Sequence, residues 1–263
     1  MKRYAFELDV YTEFTDLVSN HNYLLKCMPR ELEYQKLYDE KLIVEPINNF
    51  KYGHDSFKNR TVYGTINSAH NYFHYNISGK VWMNNYIIRD NLDEVFLYDT
   101  PFTKLNENMV EAIKSLNLDK NDQDIDSIVL KISDFIFNYI EYTPNFTTID
   151  TKGSEAFEAR KGVCQDMSHI MIGYLHLFKI PARYCSGIMI GEGKTHAWVE
   201  YYDKNSWKAV DPTNNKFVNE GYIKFSHGRD NKSCEVERGL FRILNNFVNQ
   251  NIKINAKVVE IHE

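Results

Sequence analysis

Over the first hundred residues the apolar positions recur with a period of two. Tyr4, Phe6, Leu8 and Val10 alternate with less apolar neighbours, which puts their side chains on one face of an extended strand. Further short runs fall at 23–28, 41–44, 61–67, 72–77 and 80–88, separated by turn-prone pairs such as Asn48-Asn49 and Ser78-Gly79. An alternating strand needs a second layer to cover its apolar face, so the pattern predicts a β-sandwich over residues 1–100.

Beyond Pro101 the period becomes helical. Met109, Val110, Ile113 and Leu116 form a short stripe, and Ile125, Ile128, Val129, Ile132, Phe135, Ile136, Tyr139 and Ile140 a longer one. A third helix is predicted after Gly162, where Met167, Ile170, Met171, Tyr174, Leu175 and Phe178 share a face before Pro181 bars continuation. Strand patterns return at 195–202, 207–211 and 252–261. Helices followed by strands predict an α+β domain over residues 101–263.

Composition narrows the function classes. With 31 Lys plus Arg against 36 Asp plus Glu the net charge is −5, so no bulk positive field exists to hold a nucleic acid. The longest apolar runs fall far short of a membrane span, so no membrane partner is expected. The chain begins Met-Lys-Arg-Tyr-Ala-Phe-Glu-Leu-Asp-Val, with acidic residues where a signal peptide would need an apolar core, and the expected location is cytoplasmic. Cys27, Cys164, Cys185 and Cys234 are too scattered for a disulfide framework and lack zinc-site spacing. A zinc site built from Cys164, Cys185 and His196 has no recognised ligand spacing behind it.

Among the cysteines, Cys164 stands apart. It lies in Lys161-Gly162-Val163-Cys164-Gln165-Asp166, at the start of the third predicted helix, where outward N–H groups and the positive end of the macrodipole favour a thiolate. The other three read as small buried hydrophobes. A thiolate nucleophile needs a base, and the base needs an orienting group. The strands 195–202 and 207–211 flank Asp203-Lys204-Asn205-Ser206, which reads as a tight hairpin. Its register sets Trp198 opposite Asp211, so His196 becomes the diagonal neighbour of Asp211 on the same face, about 7 Å or less away at Cβ. A slip of one residue would separate them.

Other candidates carry less. Tyr142 reads either as an oxyanion donor beside the Cys164 backbone N–H or as a core aromatic. Trp198 could wall the site or fill the core. Asp166 is expected to compensate the helix dipole. His169, roughly 140° around the helix from Cys164 at 100° per residue, is expected to face solvent.

Gly162-Val163-Cys164-Gln165-Asp166, Gly187, His196-Ala197-Trp198-Val199-Glu200 and Trp207-Lys208-Ala209-Val210-Asp211-Pro212-Thr213-Asn214 together resemble the core of the bacterial transglutaminase-like superfamily. Ile180-Pro181-Ala182-Arg183-Tyr184 and Gly228-Arg229-Asp230 extend the resemblance, which covers roughly residues 122–241. The first hundred residues also look like the β-rich region that precedes this core in many bacterial members. The resemblance implies a papain-like core of helices on an antiparallel sheet and a Cys164, His196, Asp211 triad acting through a thioester on amide bonds of peptides or proteins. Water as acceptor would make the chain a cysteine peptidase or amidase, the preferred reading; an amine would make it a transglutaminase. A silent binding module of the same fold would be expected to lack a triad member, and all three are present. No cofactor is implied, and without the calcium loops of animal transglutaminases no metal is expected. One departure stands out. Where family members usually continue with an aromatic residue and a Pro-containing stretch, this chain has Asn231-Lys232-Ser233-Cys234-Glu235.

Overall fold

A computed structural model describes residues 2–119, 124–244 and 247–262; Asp122 and Gln123, with which the family resemblance begins, lie outside them. The first region holds β1 (Lys2–Leu25), β2 (Gln35–Glu45), β3 (Phe50–His54), β4 (Arg60–Ile66) and β5 (His70–Met83). Next come α1 (Glu107–Ile113), α2 (Ile125–Tyr139), β6 (Glu141–Tyr142), α3 (Gly153–Ala159), β7 (Lys161–Gly162) and α4 (Cys164–Leu177). The remainder holds β8 (Ala182–Met189), β9 (Gly191–Gly193), β10 (His196–Asp203), β11 (Ser206–Asp211), β12 (Lys216–Phe217), β13 (Tyr222–Gly228), α5 (Asn231–Cys234), β14 (Glu237–Ile243) and β15 (Gln250–Glu260).

The expected β-sandwich is not what forms. Among the described residues the strands of the first region, joined by β9, β14 and β15, make one eight-stranded curled sheet rather than two stacked ones. The reason is the length of β1. Its first half lies between β5 and β15, and its second half, past register shifts near Val18 and Ser19, pairs with β4 and β14. One strand therefore supplies two parts of the sheet, and Asn20, at φ 46°, marks the place where it turns. The apolar alternation of Tyr4, Phe6, Leu8 and Val10 is buried as predicted. Ser78-Gly79, read as a turn, continues β5 opposite Glu7 and Phe6.

The second sheet runs β12-β11-β10-β8-β13 and is antiparallel throughout. Its β8, β10 and β13 are buried at nearly every position, which happens only when both faces are covered. One face, carrying Ala197, Val199, Tyr201 and Val210, packs on the helices. The other, carrying Trp198, Trp207, Ala209 and Tyr222, joins the core of the curled sheet. The helices on an antiparallel sheet match the papain-like expectation, and the large sheet adds a third layer.

Local chemistry explains the helix boundaries. Asn106 and Asp124 cap α1 and α2 by accepting the N–H groups of Met109 and Ser127. After α4, Lys179 takes a left-handed φ of 54° and the Ile180 N–H returns to the Leu175 carbonyl, so the helix ends before Pro181. The seven-residue α3 escaped the sequence reading because it is too short to show a stripe. No helix of the described residues is long and apolar enough to cross a membrane.

At Gly187 of β8 the neighbouring strands leave no room for a side chain. A Cβ there would sit 2.0 Å from the Ile223 carbonyl oxygen and 2.8 Å from the Trp198 ring. Gly187→Ala should therefore overpack the sheet, costing about 1–3 kcal/mol or more, read as a lowered midpoint in urea unfolding. An unchanged midpoint would contradict this packing.

Candidate active site

Residue Cys164 begins α4, and the loop before it is held from two directions. The Glu141 N–H donates to Arg160 O at 2.8 Å and the Thr143 N–H to Gly162 O at 2.9 Å, so the chain leaving α2 is clipped beside the chain entering α4. The Asp166 carboxylate accepts the Val163 N–H at 2.8 Å and the Thr147 hydroxyl at 2.7 Å. A Cβ at Gly162 would lie 2.8 Å from the Asp166 Cβ, so glycine is needed for this close capping. Asp166 thus caps the loop as well as facing the helix dipole, and burial raises its pKa despite those hydrogen bonds.

The predicted hairpin register is the observed one. Tyr202 pairs with Trp207 and Val199 with Val210, which continues to Trp198 opposite Asp211. Lys204 and Asn205 both adopt positive φ, 47° and 63°, the signature of a two-residue type I′ turn. His196 Nε2 lies 2.7 Å from Asp211 Oδ2, which leaves Nδ1 for Cys164. The His196 side chain is 11% exposed and Asp211 is fully buried. Burial pulls the His196 pKa down, but hydrogen bonds to Asp211 and Cys164 and the charges of both raise it to about 10. The structure therefore brings Cys164, His196 and Asp211 together.

Asp211 is held by more than its histidine. Oδ2 also accepts the Asn214 amide at 2.6 Å and the Tyr222 hydroxyl at 2.7 Å. Oδ1 accepts the backbone N–H groups of Thr213 and Asn214. Burial would raise its pKa, yet the His196 hydrogen bond and charge, with Asn214 and Tyr222, keep it below the usual carboxylate value. Asn214 follows three residues after Asp211, a spacing that suits a side chain turning back on its own loop. Tyr222 gave no local signal, because it arrives from β13.

Trp198 lies beneath the imidazole, with ring centroids 6.4 Å apart and planes 25° apart, and meets Tyr222 edge-on. Its indole N–H donates to the Tyr86 hydroxyl at 3.0 Å, and that hydroxyl donates to Glu200 at 2.6 Å. It is wholly buried. Trp198 thus fills the core and floors the histidine at once.

Tyr142 is 54% exposed, so the core-aromatic reading does not describe it. Burial of part of the ring raises its pKa, and the charges of Cys164 and Asp211 add to that. Gln165 is committed elsewhere, donating to Thr148 O and accepting from Asn231. His169 corrects an expectation. It is fully buried between Phe102 and Tyr184, and burial pushes its pKa down to about 3. The helical-wheel reading assumed one buried face, whereas α4 is buried continuously from Asp166 to Leu175.

The other three cysteines are buried, and burial pushes Cys27 and Cys234 up to about 12 and Cys185 well above the usual thiol value. Cys164 alone of the four has intermediate exposure. Among the described residues no cluster of three or more His, Cys, Asp or Glu is placed to hold a metal ion.

Residues 114–212 match the family model of the transglutaminase-like superfamily. Uncharacterized protein ML0607 of Mycobacterium leprae is 30% identical over 162 residues, covering 58% of this chain and 56% of that protein. Uncharacterized protein Mb2599c of Mycobacterium bovis is 33% identical over 140 residues, covering 47% of this chain and 44% of that one. The chain thus spans about half the length of these curated relatives. A crystal structure described as a "Putative Cysteine Protease" from Cytophaga hutchinsonii shares the fold over 100% of this chain and 91% of that one, with a TM-score of 0.80 and 21% identity.

The imidazolium should persist in the wild-type chain up to about pH 10. Asp211→Asn removes its charge partner, and the His196 titration followed by NMR should move down by about 1–3 units. An unchanged titration would show that Asp211 does not hold the imidazole.

Proposed function

With the chain placed in the transglutaminase-like superfamily by residues 114–212, we propose that it is a cysteine hydrolase cleaving amide bonds of peptides or proteins through a thioester. The observation that carries this reading is the 2.7 Å His196–Asp211 hydrogen bond on an imidazole that also engages Cys164.

The thiol proton of Cys164 passes to His196 Nδ1, and the sulfur attacks the substrate carbonyl. The carbonyl oxygen takes up negative charge, for which the Cys164 backbone N–H, free of an intrahelical acceptor at the first turn, and the Tyr142 hydroxyl are the candidate donors. Collapse breaks the C–N bond as the imidazolium protonates the departing amine, leaving an acyl thioester. His196 then takes a proton from water, which attacks the thioester and releases the carboxylic acid and the Cys164 sulfur. Asp211 keeps the ring oriented and stabilises its charged form throughout. Five hydrogen bonds to Asp211 support that fixed role. The reaction takes place in a reducing, cytoplasmic setting, where the thiol stays free.

An amine in place of water would give a transglutaminase reaction by the same first half. Incubation with a peptide library, with and without a primary amine, separates the outcomes by mass spectrometry. Hydrolysis of main-chain bonds should give cleaved peptides whether or not amine is present. Amine incorporation without cleavage would replace hydrolysis by transfer, and no mass change in any peptide would contradict the enzymatic reading.

A further inference from the structure

Beside the site lies a cleft of about 490 Å³ built by both sheets. It reaches the site at Gln165 and Thr195, the neighbours of Cys164 and His196, and Phe14, Tyr184, Phe241, Ile252 and Ile254 give it apolar walls. The stretch that departs from the family pattern, Asn231 to Glu235, forms part of the same wall.

Two polar groups in this cleft are left incompletely paired, one without a hydrogen-bond donor and one without a counter-ion. Asn231 is 5% exposed; its amide donates to Ile149 O and Gln165 Oε1, but its Oδ1 has no hydrogen-bond partner. A buried carbonyl left so is costly and ready to accept. The second is Glu237. Its neighbour Glu235 is neutralised by Lys232 at 3.1 Å and Arg238 at 2.8 Å. Glu237 instead sits opposite Leu25 of β1, half-buried, where burial raises its pKa to about 7 although the nearby Tyr75 hydroxyl acts the other way. Among the described residues it makes no ion pair, and it lines the cleft.

We propose that this cleft is a subsite for a substrate segment whose side chain is a long aliphatic stem ending in a cation, with Glu237 receiving the ammonium or guanidinium. The apolar walls cover the stem, as they do for buried Lys and Arg side chains elsewhere. Asn231 Oδ1 accepts a main-chain N–H of the same segment. Apolar walls alone would hold any bulky side chain; a half-buried carboxyl without a counter-ion discriminates, because an arriving cation supplies the charge it lacks. The subsite rests on the proposed catalytic role of Cys164, since it sits beside that residue. The cation belongs to a side chain of the peptide to be cleaved, since an ammonium held on Glu237 has no lone pair with which to attack the thioester.

Calorimetry with the full chain carrying Cys164→Ala, which blocks turnover, tests the subsite directly. The probes are N-acetylated tetrapeptide amides with lysine moved through each position, their norleucine counterparts, and n-butylamine. At one position lysine should bind at least about tenfold tighter than norleucine, as expected for a charge-assisted hydrogen bond. Adding Glu237→Gln should remove that difference and leave norleucine binding unchanged. Equal affinities at every position, no lysine binding at millimolar concentration, or a preference that survives Glu237→Gln would each overturn the proposal. Competition by n-butylamine shows that the stem and cation suffice for binding, and its absence shows that the main chain is needed as well; either supports the subsite. Because binding is read without turnover, its failure leaves the role of Cys164 standing, and an unreactive Cys164 leaves the binding result standing.

Discussion

The Glu200 carboxylate sits in the middle of β10 with no exposed surface, and three elements converge on it. Arg183 of β8 donates through Nε, Lys224 of β13 donates to both oxygens at 2.6 and 2.7 Å, and Tyr86, from the segment after β5, donates at 2.6 Å. Burial alone would push this carboxyl up; Arg183 and Lys224 outweigh it and hold the pKa at about 2. A charge taken this far from water is tolerated only when its hydrogen bonds are satisfied. The central strands are therefore tied together at one point, and the first region contributes to the tie.

That tie exists because the five-stranded sheet is covered on both sides. Had β10 faced water on one side, Glu200 would have needed no such cluster. Instead Arg183 lies over the Trp207 ring, 3.9 Å from its centroid, and His227 is kept neutral by burial and by Arg183, Lys224 and Arg30. Four residues before Glu200 on the same alternation stands His196. Tyr86 connects the two through Trp198, whose indole both donates to Tyr86 and lies beneath the imidazole. The curled sheet thus shapes the site from below and also supplies half of the neighbouring cleft.

How much of this was legible in the sequence depends on the range of the interaction. The hairpin at Lys204-Asn205 is local, so its turn chemistry and alternation set the pairing of His196 with Asp211 without further knowledge. Cys164 at a helix start was equally local, since Gly162 and Pro181 bracket α4. The single curled sheet was not legible, because β15 pairs Glu260 with Tyr4 across almost the whole chain, and no short window records that. His169 was misread for the same reason: the wheel shows what a helix offers, and the layers around it decide what is buried. Tyr222 and Asn231 reach the site from β13 and the short α5, whose placement depends on the whole sheet.

The central claim is that Cys164 is a nucleophile held beside an imidazolium. With Cys27 and Cys185 fully buried and Cys234 nearly so, alkylation by dilute iodoacetamide reads Cys164 almost alone, and its rate can be followed against pH. The wild-type chain should label rapidly, Cys164→Ala should not label while remaining folded, and His196→Ala should label only at higher pH, because the positive charge beside the sulfur is gone. Equal labelling of Cys164→Ala, or a pH profile untouched by His196→Ala, would contradict it.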